Sequence, residues 1–116
     1  MSVLVYIENA EGKFKKSSFE IISFAATIAT KMNLPLVALS IGKVSSDELQ
    51  KASQYGASKI LNADSENLST ANSLSYSSVI AEAAKNEAAK IVVIAASFSG
   101  KCIAPRVAVK LDAGLA

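Results

Sequence analysis

The sequence predicts an α/β domain with three layers, α/β/α, around a mostly parallel sheet. Three observations carry that expectation. Short β-branched runs alternate with helical patterns along the whole chain. The run at residues 2–8 is continuous in hydrophobicity, as strands covered on both faces are, and 90–96 is the most strand-like segment of the chain. Finally, 51 % hydrophobic and 19 % charged residues over 116 positions mark a chain that folds around one core.

"SVLVYIE" (2–8) is read as the first strand and "NAEGKFKK" (9–16) as the polar loop after it. Ser17 and Glu20 have the spacing of a capping box, so a helix is expected to start there and run to about Met32. Its polar positions Glu20, Ser23, Thr27, Thr30 and Lys31 leave a wide apolar face of Phe19, Ile22, Ala26 and Ala29 with Ile21, Phe24 and Ile28. Asn33 and Pro35 bracket its end, and "LVALSIG" (36–42) supplies the second strand. A second capping box, Ser45 with Glu48, opens the next helix, and Gly56 is placed to cap its carboxyl end. "SKILNA" (58–63) is a third, short strand, followed by a polar surface loop, "DSENLSTANS". Leu74, Tyr76, Val79, Ile80, Ala83 and Ala84 mark an amphipathic helix to about Ala89, "KIVVIAA" (90–96) is the fourth strand, and Ile103, Val107 and Leu111 mark a last helix.

The order β-α-β-α-β-α-β-α implies a Rossmann-like parallel sheet with strands in the order 3-2-1-4. Ligands of such sheets sit beyond the carboxyl ends of the strands, where the order reverses. The loops after the first and fourth strands, "NAEGKFKK" and "SFSGK", are therefore the ones that matter.

At 97–101 a strand ends and a helix begins, where free backbone N–H groups and the helix dipole favour an anion. Gly100 permits close backbone approach, Ser97 and Ser99 offer hydroxyls, and Lys101 adds a point charge. The stretch matches neither the Walker pattern nor G-x-G-x-x-G. The plainer reading is that Ser99 caps the helix and Gly100 makes the turn. Pro105 bears on both: with Ser99 as cap it removes a helix hydrogen bond, and with Ala104 as cap it takes the favourable first helical position. Arg106 and Lys110 share a helix face away from the apolar stripe, either as solvated surface or as a partner-binding surface. Cys102 reads as packing more readily than as a reactive thiol, Glu8 as either a crevice residue or a solvated strand end, and Tyr6 and Tyr76 as core or core-edge residues.

Several chemistries are excluded by composition. The chain has no histidine and one cysteine, so zinc sites built on those residues and histidine-based triads have no material. A net charge of +2 with no basic run longer than Lys15-Lys16 argues against a nucleic-acid-binding face. A lone cysteine favours a reducing compartment, no apolar run reaches bilayer length, and the amino terminus lacks the basic region of a signal peptide, so a cytoplasmic location is expected.

"SVLVYIE", the alanine-rich "EIISFAATIATKM" (20–32), and above all "GKCIAPRVAVKLDAGLA" (100–116), preceded by "KIVVIAASFS", resemble the amino-terminal domain of electron transfer flavoprotein alpha subunits. The specific part is G-K-x-x-x-P-R-V-A-x-K-L-x-A-G-L, and the resemblance covers the whole chain. It implies an adenine nucleotide alpha-hydrolase-like fold whose role is scaffolding. It also implies a beta-subunit partner, and a complete heterodimer that passes electrons from dehydrogenases such as acyl-CoA dehydrogenases to a quinone oxidoreductase. FAD is held in that family mainly by the carboxyl-terminal domain of alpha, and AMP by beta. The family's FAD-binding residues follow "DAGL" further on, so none is assigned here, and 1–116 is expected to be one domain, the amino-terminal part of a longer bacterial chain. The alternative is a stand-alone nucleotide-binding module of the universal-stress type that uses "SFSGK" for the phosphate; against it, the longer glycine-rich loop of that family is missing.

Overall fold

The computed structural model describes residues 2–10, 12–63 and 73–94. Its main sheet has four parallel strands, β1 (Ser2–Tyr6), β4 (Leu36–Ile41), β5 (Lys59–Ala63) and β6 (Ala89–Ile94). They lie in the order β5-β4-β1-β6, which is the expected 3-2-1-4 arrangement. Between β1 and β4 the chain forms a small antiparallel hairpin, β2 (Asn9–Ala10) and β3 (Lys13–Phe14), and then α1 (Lys16–Met32). Helix α2 (Ser46–Ser53) joins β4 to β5, and α3 (Ser73–Asn86) precedes β6.

Alternation along the strands builds the layers. Val3, Val5 and Ile7 of β1 and its extension, with Leu36 and Ala38 of β4, face Ile22, Ala25 and Ala29 of α1 and Ala52 of α2. Leu4 and Tyr6, with Val37, Leu39 and Ile41, face Ile80 and Ala84 of α3. Helices thus cover both faces, and β1, wholly buried, is the centre. Each fully buried Val, Leu or Ile contributes roughly 1.5–3 kcal/mol, so this strand and its two layers form the principal source of stability. Alanines at 25, 29, 52 and 84 let the helices approach the sheet closely.

Several local expectations are corrected. Ser17 and Glu20 do not form a capping box: the cap position is Lys15, with no side-chain bond. The hairpin delivers the chain into the helix two residues early, and the anchoring hydroxyl is that of Ser18, which donates to the Glu8 carbonyl at 2.6 Å. The Ser45 box is half formed. Ser45 Oγ accepts from the Glu48 N–H, but the Glu48 carboxylate turns away to Phe14 and Lys51. Gly56 is not the cap of α2, which is Gln54; with φ at +118° it makes the turn beyond, where a Cβ would lie 2.9 Å from that of Ala26. Asn33 ends α1, as expected, and it does so in the left-handed conformation. Helix α3 stops at Asn86 rather than about Ala89, and Phe24 of α1 points to solvent instead of joining the apolar face. The expected last helix lies outside the described residues.

Candidate functional site

At the carboxyl edge of the sheet β1 ends between its two neighbours, with Tyr6 in register with both Leu39 of β4 and Ile94 of β6. The order reverses here, so this edge is the candidate site. On the β4 side it is closed by the β2–β3 hairpin. Asn9 Nδ2 donates to the Ile41 carbonyl at 2.7 Å, and Asn9 Oδ1 accepts from the Gly12 N–H at 3.2 Å. One side chain therefore ties the hairpin turn to the end of β4.

Gly12 makes the closest approach. Its φ is +85°, and a Cβ built on it would meet the Lys43 carbonyl oxygen at 2.5 Å. Beyond the turn, the Phe14 N–H donates to Glu48 Oε2 at 3.1 Å, and Glu48 also pairs with Lys51 at 3.3 Å. The Phe14 N–H is the chief reason the Glu48 carboxyl is held below its ordinary range; partial desolvation opposes it, and Lys51 and Lys13 add to the lowering. Phe14 is itself buried and meets Phe19 edge to face at 6.1 Å, while Phe19 stacks on Tyr55 at 4.7 Å. Hairpin, β4–α2 loop and the first turns of α1 and α2 thus form one clasp.

On the other face of the sheet Tyr6 and Tyr76 meet edge to face at 6.5 Å. Tyr6 is buried, and burial, reinforced by Glu8 and Tyr76, pushes its phenol far above the ordinary range. It stays protonated and serves as packing, as does the half-buried Tyr76. Glu8 is half-buried at the end of β1, and its carbonyl is taken by Ser18. The candidate anion-loop residues Ser97, Ser99, Gly100 and Lys101, the candidate interface pair Arg106 and Lys110, and Cys102 lie outside the described residues.

Sequence reasoning placed the first-strand loop at the site but missed its contents. Asn9 followed by Gly12, with Lys13 exposed and Phe14 buried after it, is a hairpin signal too short to stand out from a polar loop. The Phe14–Glu48 bond joins residues 34 apart, so no local pattern reveals it. A second feature is an open groove of about 410 Å³ along β5 and α3, floored by Leu39, Leu61, Ala63, Val79 and Ala83. Part of its charged rim is self-neutralised by the Lys59–Glu87 pair at 2.7 Å. Among the described residues no three metal-ligating side chains gather, and no helix is long and apolar enough to cross a membrane.

The fold is similar to that of a universal stress protein from Archaeoglobus fulgidus, with a TM-score of 0.63 and 16 % identity over 97 % of this chain and 89 % of that one. A universal stress protein in complex with cAMP gives 0.55, again at 16 % identity, over 95 % of this chain and 92 % of that one. Sequence relatives lie elsewhere. Protein FixB of Clostridium saccharobutylicum is 31 % identical over 97 % of this chain and 34 % of its own length. An electron transfer flavoprotein subunit alpha of Clostridium acetobutylicum is 30 % identical over the same shares. A lactate dehydrogenase (NAD(+),ferredoxin) subunit LctC of Acetobacterium woodii is 26 % identical over 97 % of this chain and 27 % of its own length. The chain spans about a third of the length of the first two relatives. The electron transfer flavoprotein domain matches residues 3–116, in agreement with a resemblance that already covered the whole chain: the chain belongs to the electron transfer flavoprotein domain family.

Proposed function

We propose that this chain is the amino-terminal scaffold and subunit-interface domain of an electron transfer flavoprotein alpha subunit. The observation that carries the reading is the family match over residues 3–116 in a chain about a third as long as its alpha-subunit relatives. On this reading it is an electron-carrier component rather than an enzyme, it pairs with a beta subunit, and it works in the bacterial cytoplasm. The complete heterodimer moves electrons from dehydrogenases such as acyl-CoA dehydrogenases, as in fatty acid beta-oxidation, to a quinone oxidoreductase.

FAD supplies the redox chemistry of that assembly. The described residues of this domain do not fit a flavin at the sheet's carboxyl edge. The one close backbone approach there, at Gly12, is filled by the Lys43 carbonyl, and the Asn9 amide is spent on Ile41 and Gly12. No step through the flavin is therefore derived from these residues, and in the proposed assembly it binds to polypeptide beyond this domain. What the residues do is hold a platform rigid: the clasp fixes the edge of β1 and β4, and the two-faced core fixes the sheet.

In this proposal Arg106 and Lys110 lie on the beta-subunit surface, and the 97–101 loop serves the turn into the last helix. The test is the affinity of the chain for the beta subunit of the same organism, measured for the natural sequence and for Arg106→Glu. The expected result is at least a tenfold loss of affinity with little change in the unfolding midpoint, as for an arginine at an interface core. Unchanged affinity removes the interface role of Arg106; no pairing by the natural chain overturns the scaffold reading.

A second reading is favoured by one observation, the fold likeness to universal stress proteins over nearly the full length of both chains. It makes the chain a nucleotide-binding module, with Ser97, Ser99, Gly100 and Lys101 around the phosphate. Binding of ATP distinguishes the two.

A further inference from the structure

Phe24 sits in the middle of the 17-residue α1, yet 60 % of it is exposed. Successive helical residues turn by about 100°, so Ile21 and Ile28, three before and four after, flank it on one strip. Both are half-buried. This strip adjoins the row of Ile22, Ala25 and Ala29 that seals the sheet but does not coincide with it. An apolar strip centred on an exposed ring marks an association surface.

Charge identifies what fits the strip. Glu20 and Lys31, both exposed, close its two ends with opposite signs. Two copies of α1 laid antiparallel about a two-fold axis between Phe24 and Ile28 set each Phe24 against the other copy's Ile21–Ile28 stretch. The same arrangement brings Glu20 of each copy beside Lys31 of its partner. A parallel arrangement opposes like charges and is disfavoured. The strip is self-complementary, as a closed two-fold contact requires.

From this geometry we infer that the exposed face of α1 pairs with the same face of a second copy of this chain, antiparallel, with Phe24 at its centre. A helix of this length is about 25 Å long. One helix face falls at the small end of specific interfaces, so the dimer is reversible and depends on concentration.

Sedimentation equilibrium of the 116-residue chain from about 10 µM to about 1 mM covers the affinities such a contact reaches. The mass is expected to rise from 12.1 kDa toward twice that value. Phe24→Ser should abolish the rise while leaving the far-UV circular dichroism unchanged, since the ring is not part of the core. Glu20→Lys should weaken the dimer about tenfold by reversing two exposed pairs, and adding Lys31→Glu should restore it. A natural chain that stays at 12.1 kDa throughout overturns the inference and leaves the strip to a different partner. It is equally overturned if the folded double variant fails to recover the affinity lost in Glu20→Lys.

Discussion

Gly12 occupies a position that no other residue fits. A side chain there collides with the Lys43 carbonyl, and the positive φ is strained for any L-residue. Gly12→Ala is therefore expected to destabilise the fold by about 2–4 kcal/mol, read as a lower midpoint in urea unfolding. Ala88 shows the converse. It also has a positive φ, 51°, but carries a methyl group. It is held there by ties to the first strand, where the Ser2 N–H and hydroxyl donate to the carbonyls of Ala88 and Glu87. An alanine gives no hint of a left-handed turn, which is why the sequence places the end of α3 too late. Asn33, whose short amide tolerates that conformation, gives the hint and is read correctly.

Among the elements, those built on period were legible and those built on distant bonds were not. Strands β1, β4 and β6 are apolar runs with few competing interpretations, and their order follows from the alternation with helices. The hairpin was not legible, because two-residue strands carry no period and its fixing bonds reach to Ile41, Lys43 and Glu48. Phe24 misled for a similar reason: the apolar stripe of α1 is wider than the sheet it covers, and only packing decides which edge of the stripe is left out. The tie between β3 and α2 has a pH signature. Glu48 has a depressed folded-state pKa, so its contribution is present above the ordinary value of 4.5 and is lost as pH falls through the folded value. Acid titration of stability should show this loss in the natural chain and lack it in Glu48→Gln, whose stability gap to the natural chain narrows as the pH drops. A gap independent of pH contradicts the ionic role.

For the molecule as a whole, the three layers and the strand order of the main sheet were readable from composition and alternation, which are spread along the chain, and the family from three stretches of which the closing motif is the most specific. The candidate site was readable only as a location. Its chemistry lies in side-chain bonds that close between residues far apart in sequence, such as Asn9 with Ile41 and Phe14 with Glu48. Among the described residues, the hairpin closes the β4 side of the sheet's carboxyl edge and helices pack on both faces, an arrangement that agrees with the proposed scaffold role. The most direct measurement is calorimetric titration of the 116-residue chain with FAD, AMP and ATP. The scaffold account predicts no stoichiometric uptake of FAD and no tight ATP binding. Stoichiometric flavin, or micromolar ATP binding lost in Gly100→Val, contradicts it.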